Sequence, residues 1–405
     1  MSERYKKIIF VSIIIFLILG FLEISCYILL KLSALETRGR RDWHTYYKNS
    51  GLYKDIDIDV FYNEQKIINS NLSFDFYRYY RPMANFEGRY ISTDNEGFRK
   101  TAQYFKDKKL KKKTIIFLGG STMWGVGAAG DSTTIASLFS KYLNEMDPEV
   151  NYEVRNYGVG GYQNTQEMIL LLEKLGTEDI DFVIFFDWVN EAIMGYRELL
   201  DGNNKLNFLQ PSVNAGYSGI IKFLSDRGVY DEVIKLSTAL RWVSEKSSLF
   251  KIVSRLKNAI ASNAKTRRIE NNRGELTRQE QEQAERIVKL YGKNTKIIES
   301  LSKTFNFKAY FIMQPNLFTK EKLSSYEEGS PHWKDVKSVN FQRKVYELAK
   351  KEFSARDGFC DISGCMATDE TIYVDDHHTS VKGNDLIARA ILNRIGAEIM
   401  RNSKE

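Results

Sequence analysis

The chain has 405 residues, 43% of them apolar and 27% charged, enough for one large domain with appendages or for two domains. A formal charge of +7 is modest for this length and comes with no recognition motif or long basic helix, which argues against nucleic acid as a partner. Three cysteines are too sparse for a zinc framework, and four histidines confine any catalytic imidazole to His44, His332, His377 or His378.

Residues 8–30 are apolar except for Ser12, Gly20, Glu23, Ser25, Cys26 and Tyr27. As a helix at about 1.5 Å per residue this segment would be roughly 34 Å long, enough to cross a bilayer. A cleaved signal peptide is the competing reading. The run is long for one and has no small-x-small exit. Cys26 is a poor lipidation site, with Glu23 three residues before it and apolar residues after it. Arg4, Lys6 and Lys7 precede the span, and Lys31, Arg38, Arg40 and Arg41 follow it, so the basic bias is two-sided. The shortness of the preceding segment places the N-terminus in the cytoplasm and the rest of the chain outside it. Glu23 marks either the outer interface or a partner helix in the membrane. Residues 1–32 are therefore expected to form a cytoplasmic tip and a transmembrane anchor.

Residues 33–94 are polar and aromatic without a strong period, and Tyr77, Tyr79 and Tyr80 cluster before Arg81-Pro82. They read as a lead-in that hugs the surface. Asn95-Glu96-Gly97-Phe98-Arg99 reads as a turn into the folded domain, which occupies 95–405. The lysine-rich run 106–113 reads as a solvated approach to a strand.

That strand is Thr114-Ile115-Ile116-Phe117-Leu118, a buried apolar run that stops at Gly119-Gly120-Ser121-Thr122. In an open parallel sheet, chemistry sits past the carboxyl ends of the strands, so Ser121 stands where a nucleophile would. A helix is expected from about 131, capped by Asp131 or Ser132. A short strand over 152–157 runs into Gly158-Val159-Gly160-Gly161-Tyr162. After a helix, a third strand over 180–186 ends at Asp187-Trp188-Val189-Asn190-Glu191. Residues 196–275 break this rhythm and read as a mostly helical insertion over the mouth of the site, with a separate domain as the alternative. A long helix over 278–304 follows the cap Thr277. A fourth strand, 308–313, ends in Gln314-Pro315-Asn316, and a helix near 337–353 leads to a fifth strand at 358–362. Cys360 and Cys365 are either two buried thiols or a small disulfide loop. The last loop is Val374-Asp375-Asp376-His377-His378-Thr379, followed by a final helix. Strands separated by helices imply a parallel sheet covered on both faces, an α/β/α sandwich.

A serine hydroxyl needs a base to become a nucleophile, and a histidine base needs a carboxylate to orient it. His377 and His378 lie in a carboxylate-rich loop, and Asp375 and His378 are spaced i, i+3. The oxyanion of an acyl transfer needs donors. Candidates are the Ser121 N–H, a backbone N–H at 160–161, and the Asn190 amide. Each follows an apolar strand, so all can gather on one rim of the sheet. Asp376 and His377 with this pair could instead form a metal corner. Gln314 and Trp188 are possible pocket residues.

These blocks, in this order, resemble the SGNH (GDSL-type) hydrolase superfamily, in its membrane-anchored bacterial form, over about 95–395. Gly119-Gly120-Ser121-Thr122 is similar to its first block, Asn156 to Tyr162 to its second, Asp187 to Glu191 to its third, and Asp375-x-x-His378 with Gly383-Asn384 to its last. The resemblance implies a flavodoxin-like parallel sheet, Ser121 as nucleophile, His378 as base, Asp375 as its orienter, and an oxyanion hole of Ser121, Gly161 and Asn190. It implies no metal and no cofactor. Trp188 stands where the family commonly has glycine, and Glu191 where it has aspartate. Met123 in place of a glycine separates the motif from the Gly-x-Ser-x-Gly elbow. The implied activity is that of an esterase on O-acetyl groups of a cell-envelope or exported polysaccharide, periplasmic or extracellular. Alternatives are a polysaccharide O-acetyltransferase with the same triad and a non-catalytic envelope scaffold.

Overall fold

A computed structural model of the chain describes residues 43–106, 109–200 and 274–404, with scattered positions between Glu3 and Ser25 and the single residue Ser247. The chain divides into two compact units. One comprises Met1–Asp42 and Ile221–Arg273, the other Trp43–Ile220 and Gly274–Glu405.

In the first unit the described positions Ile9, Phe10, Ile13, Ile14, Ile18, Phe21 and Leu22 are helical and exposed. Ser247 Oγ donates to a Glu23 carboxylate oxygen at 2.8 Å. No helix among the described residues is long and apolar enough to cross a membrane. The expected span over 8–30 falls partly outside the described residues, as does the expected insertion from 201 onward.

The second unit is built on five parallel strands: β3 Lys111–Gly119, β4 Val150–Asn156, β5 Phe182–Asp187, β6 Lys308–Met313 and β7 Phe359–Asp361. Their spatial order is β4-β3-β5-β6-β7. Counted within the sheet this is 2-1-3-4-5, the flavodoxin-like order of doubly wound folds. The two-residue period of a strand sorts the apolar side chains onto opposite faces. Ile116, Leu118, Val183, Phe185, Ala309 and Phe311 enter one core layer. Ile115, Phe117, Phe182, Ile184, Tyr310 and Ile312 enter the other. The first layer is covered by helices Asn164–Leu175, Val189–Leu200, Arg278–Phe305 and Val336–Phe353. The second is covered by Ile135–Met146 and Val381–Lys404. The result is a three-layer α/β/α sandwich.

Local chemistry sets the helix ends. Thr277 and Glu280 cap the long helix reciprocally, and Asn306 closes it in the left-handed conformation at φ 57°. The helix expected from 131 begins instead at Ile135, where the Thr134 side chain accepts from the Ser137 N–H. Asp131 is unavailable as a cap because its carboxylate pairs with the buried Arg99 guanidinium at 2.8 Å. Lys111, Lys112 and Lys113, expected to precede the sheet, form the first residues of β3. Lys113 pairs with Asp181 at 2.8 Å, and Lys112 pairs with Glu153. The helix after β5 runs to Leu200, so Tyr196, expected to open the insertion, is a buried helix residue instead. Cys360 and Cys365 are free thiols.

Residues 43–94 depart most from expectation. They form helices Trp43–Asn49 and Ile58–Ser70 and a hairpin of β1 Ser73–Asp75 with β2 Tyr79–Arg81. Tyr47, Tyr53, Phe61, Ile68, Tyr90 and Ile91 form a third apolar cluster with Trp124 and Val374. This segment is packed structure. The helix Ile58–Ser70, capped by Asp57, buries Phe61, Glu64, Gln65 and Ile68 at helical spacing, and two of those four are polar, so the apolar pattern alone is weak.

Candidate active site

Ser121 opens a single helical turn, Ser121–Trp124, directly after β3. The preceding glycine allows a close approach of chain to side chain: a Cβ at Gly120 would stand 2.1 Å from Asn190 Nδ2. Ser121 is half-buried, and its Oγ lies 2.7 Å from His378 Nε2. His378 Nδ1 lies 3.0 Å from Asp375 Oδ2. A carboxylate only accepts, so Nδ1 carries the hydrogen and Nε2 presents its lone pair to the serine hydroxyl. Asp375 Oδ1 also accepts from the backbone N–H groups of His377, at 3.0 Å, and His378, at 2.8 Å. Those two bonds hold the loop in one turn. The structure thus brings Ser121, His378 and Asp375 into one hydrogen-bonded line from opposite ends of the domain.

Asn190 sits at the start of the helix after β5, with its Nδ2 donating to the Tyr162 carbonyl at 2.7 Å. An amide nitrogen carries two hydrogens, and this bond orients the second. Gly161 follows β4 with φ +83°, a conformation that favours glycine. A Cβ at Gly160 would meet the Ser121 Cβ at 3.9 Å, so the glycine turn borders the serine. All four blocks converge at the carboxyl ends of β3, β4 and β5 and on the loop before the last helix.

His377 belongs to a second pair. Its Nδ1 lies 2.8 Å from Asp376 Oδ1, and its ring lies 3.9 Å from that of His378. His332 Nδ1 is 3.6 Å from Asp376 Oδ2. Asp375, His377 and His378, and also His332, Asp375 and Asp376, bring donor atoms close enough for a metal corner. His378 has both ring nitrogens engaged, by Asp375 and Ser121, which favours a proton relay over a metal at that residue. His44 lies elsewhere, against Asp59 at 2.6 Å.

The two expected pocket residues, Trp188 and Gln314, are buried. Trp188 is fully buried, its ring packed on Tyr291 at 4.1 Å and on Phe353 at 5.5 Å. It holds φ +94°, a glycine-like conformation that costs about 1–3 kcal/mol in other residues. Its N–H donates to Glu191 Oε2 at 2.7 Å, which braces the strained turn. Gln314 is also buried, with its N–H bonded to the Asp187 carbonyl and its carbonyl accepting from the Tyr346 hydroxyl.

Sequence reasoning missed a buried carboxyl cluster behind Asn190. Asp187 Oδ2 accepts from the Tyr291 hydroxyl at 2.7 Å and from Asn164 Nδ2 at 3.0 Å. Glu191 Oε1 accepts from the Asn164 N–H at 2.8 Å. Glu167 faces Asp187 and shares a hydrogen bond with it. Burial, with the charge of Asp187 nearby, raises Glu167 well above the carboxylate range and Glu191 to about 8. Asp187 is also raised by burial, and hydrogen bonds from Glu167, Tyr291 and Asn164 oppose the rise. Burial thus favours the protonated form of all three carboxyls.

No model of a known protein family matches the chain, and no curated protein matches it. Among solved structures, the chain is similar to an acetylxylan esterase from Geobacillus stearothermophilus at 13% identity, over 72% of this chain and 97% of that one, with a TM-score of 0.36. It is similar to a two-domain esterase active on acetylated mannans at 12% identity, over 72% of this chain and 50% of that one, with a TM-score of 0.33. It is also similar to an alpha/beta hydrolase from the metagenome of Lake Arreo, Spain, at 12% identity, over 71% and 96% of the two chains, with a TM-score of 0.33. At these values the likeness carries no functional weight.

Proposed function

We propose that this protein is a serine hydrolase of the SGNH type that cleaves ester bonds through an acyl-enzyme. The observation that carries the reading is the line Ser121 Oγ to His378 Nε2, 2.7 Å, and His378 Nδ1 to Asp375 Oδ2, 3.0 Å. His378 takes the Ser121 proton as Oγ attacks the acyl carbonyl. The developing oxyanion is held by the N–H groups of Ser121 and Gly161 and by Asn190 Nδ2. His378 then gives the proton to the departing alkoxide, and the acyl group stays on Oγ. A water, deprotonated by His378, attacks that acyl carbon; the bond to Oγ breaks, His378 returns the proton to Oγ, and the carboxylic acid leaves. No step calls for a metal or cofactor.

The substrate class we infer is an O-acetylated polysaccharide of the cell envelope or one being exported. The motif order from Ser121 to His378 supports this through its resemblance to membrane-anchored SGNH enzymes. Residues 8–30 would hold the protein in the bilayer, with the hydrolase domain periplasmic or extracellular. A sugar hydroxyl replacing water in the second step would make the same site an O-acetyltransferase.

Ser121→Ala should lower hydrolysis of an activated acetyl ester by about 10⁴-fold or more and abolish labelling by a serine-directed phosphonate. Labelling that persists in this variant would refute the nucleophile. Incubating the protein with an acetyl donor and a glycan, then weighing the glycan by mass spectrometry, separates the acceptors. Loss of acetyl supports the esterase, and gain supports the transferase. A wild-type protein that neither turns over nor labels would leave a scaffold.

A further inference from the structure

We propose that Tyr80 is a positioning residue of the oxyanion hole, its hydroxyl fixing the peptide that carries the Gly161 N–H. The inference rests on the serine-hydrolase reading above. Tyr80 lies on the hairpin strand Tyr79–Arg81, outside every motif block. Its hydroxyl donates to the Gly160 carbonyl at 2.7 Å. The Gly160–Gly161 peptide is trans, since no cis bond occurs among the described residues.

In a trans peptide the carbonyl oxygen lies on the side of the following Cα, and the N–H on the side of the preceding Cα. Both sides can be located here. A Cβ at Gly161 would stand 2.8 Å from the Tyr80 hydroxyl, so the carbonyl and the Gly161 Cα share the Tyr80 side. A Cβ at Gly160 would stand 3.9 Å from the Ser121 Cβ, so the Gly160 Cα, and with it the Gly161 N–H, share the Ser121 side. The Tyr80 bond therefore turns that N–H toward the place where an oxyanion forms on the serine's acyl carbon.

The tyrosine is itself held. It is buried, and the Tyr162 hydroxyl donates to its carbonyl at 2.5 Å. The two rings meet edge to face at 5.5 Å. Burial raises the Tyr80 phenol, so it stays a neutral donor. Tyr162 also offers its carbonyl to Asn190 Nδ2 at 2.7 Å. Tyr162 and Tyr80 thus link the two non-serine donors of the hole, and a flexible glycine pair alone would leave one of them unset.

The test is Tyr80→Phe, which keeps the ring and removes the hydroxyl. Hydrolysis of an activated acetyl ester should show kcat reduced about tenfold or more, with KM unchanged, as for weakening one oxyanion donor. Affinity for a trifluoromethyl ketone, which forms an oxyanion on Ser121, should fall in step with kcat. Phosphonate labelling should slow yet reach the wild-type stoichiometry, which shows a folded site. An unchanged kcat, or a loss of active sites without a change in kcat per labelled site, would overturn the proposal. Failure of the underlying reading is distinguishable, because wild type would then neither turn over nor label.

Discussion

Glu167 is the residue whose titration the structure makes most informative. It is fully buried beside Asp187 and Glu191, and its pKa is raised well above its ordinary 4.5 by burial and by their charge. The folded protein therefore keeps a proton that the unfolded chain releases near pH 4.5. The stability this proton confers is whole below that pH and falls as pH rises toward the raised value. Glutamine has nearly the same shape and supplies an N–H donor to Asp187 without titrating. Glu167→Gln should thus leave ester turnover near wild type at neutral pH, and its melting temperature should gain on wild type steadily as pH rises from about 4.5 through neutral. Thermal melts across that range check it. A melting difference that does not move with pH would mean that Glu167 is not the proton holder. The two neighbouring histidines allow a second comparison. His378 contacts Ser121 Oγ, whereas His377 contacts Asp376. His378→Ala should cut turnover by about 10³-fold or more, and His377→Ala by much less. Steady-state kinetics of the two variants decide it, and the reverse order would mean that the wrong imidazole has been given the base's role.

At the scale of elements, the sheet was legible because each buried strand is a short apolar run closed by a turn signal. Leu118 leads into Gly119-Gly120, and Phe186 leads into Asp187-Trp188. Ser121, Gly161 and Asn190 were legible for the same reason: each follows a strand, and parallel strands present their carboxyl ends on one rim. Asp375 and His378 lie on a long loop and were legible only by their i, i+3 spacing. What stayed hidden has physical causes. The helix Ile58–Ser70 buries Phe61, Glu64, Gln65 and Ile68 at helical spacing, and because two of these are polar the face does not stand out as an apolar period. The two hairpin strands are three residues each, too short to show an alternation. Tyr80 acts on a peptide 80 residues away, a relation that local pattern cannot carry. The clustering of Tyr77, Tyr79 and Tyr80 was the available signal. Trp188 looked like a pocket residue because a large aromatic after a strand reads alike in a wall and in a core. Only φ +94° and the stack on Tyr291 distinguish the two. The helix start was misplaced because Asp131, a good cap in isolation, is drawn away by Arg99.

For the whole molecule, the boundary of the working domain follows from which residues brace the site. Tyr47 donates its hydroxyl to the Val126 carbonyl at 2.9 Å, and Tyr53 donates to the Gly127 carbonyl at 2.7 Å. Both carbonyls lie in the loop that leaves the nucleophile turn. Gly127 in turn abuts Thr379, where a Cβ would stand 2.0 Å from the Thr379 carbonyl. Residues 43–94 therefore support the serine loop and, through it, the histidine loop. They also cover Trp124 and Val374, the neighbours in sequence of those two loops. Losing one buried aromatic typically costs about 3–5 kcal/mol, against a total stability of about 5–15 kcal/mol. Removing Tyr47, Tyr53, Phe61 and Tyr90 together exceeds what such a domain can spare. A chain starting at residue 43 should melt cooperatively and hydrolyse an activated acetyl ester. A chain starting at residue 95 retains every motif block, yet should show neither a cooperative transition nor turnover. Both should be purified in the same detergent, so that residues 221–273 meet the same surroundings in each. Equal behaviour of the two chains, whether both active or both unfolded, would show that residues 43–94 do not decide the integrity of the site.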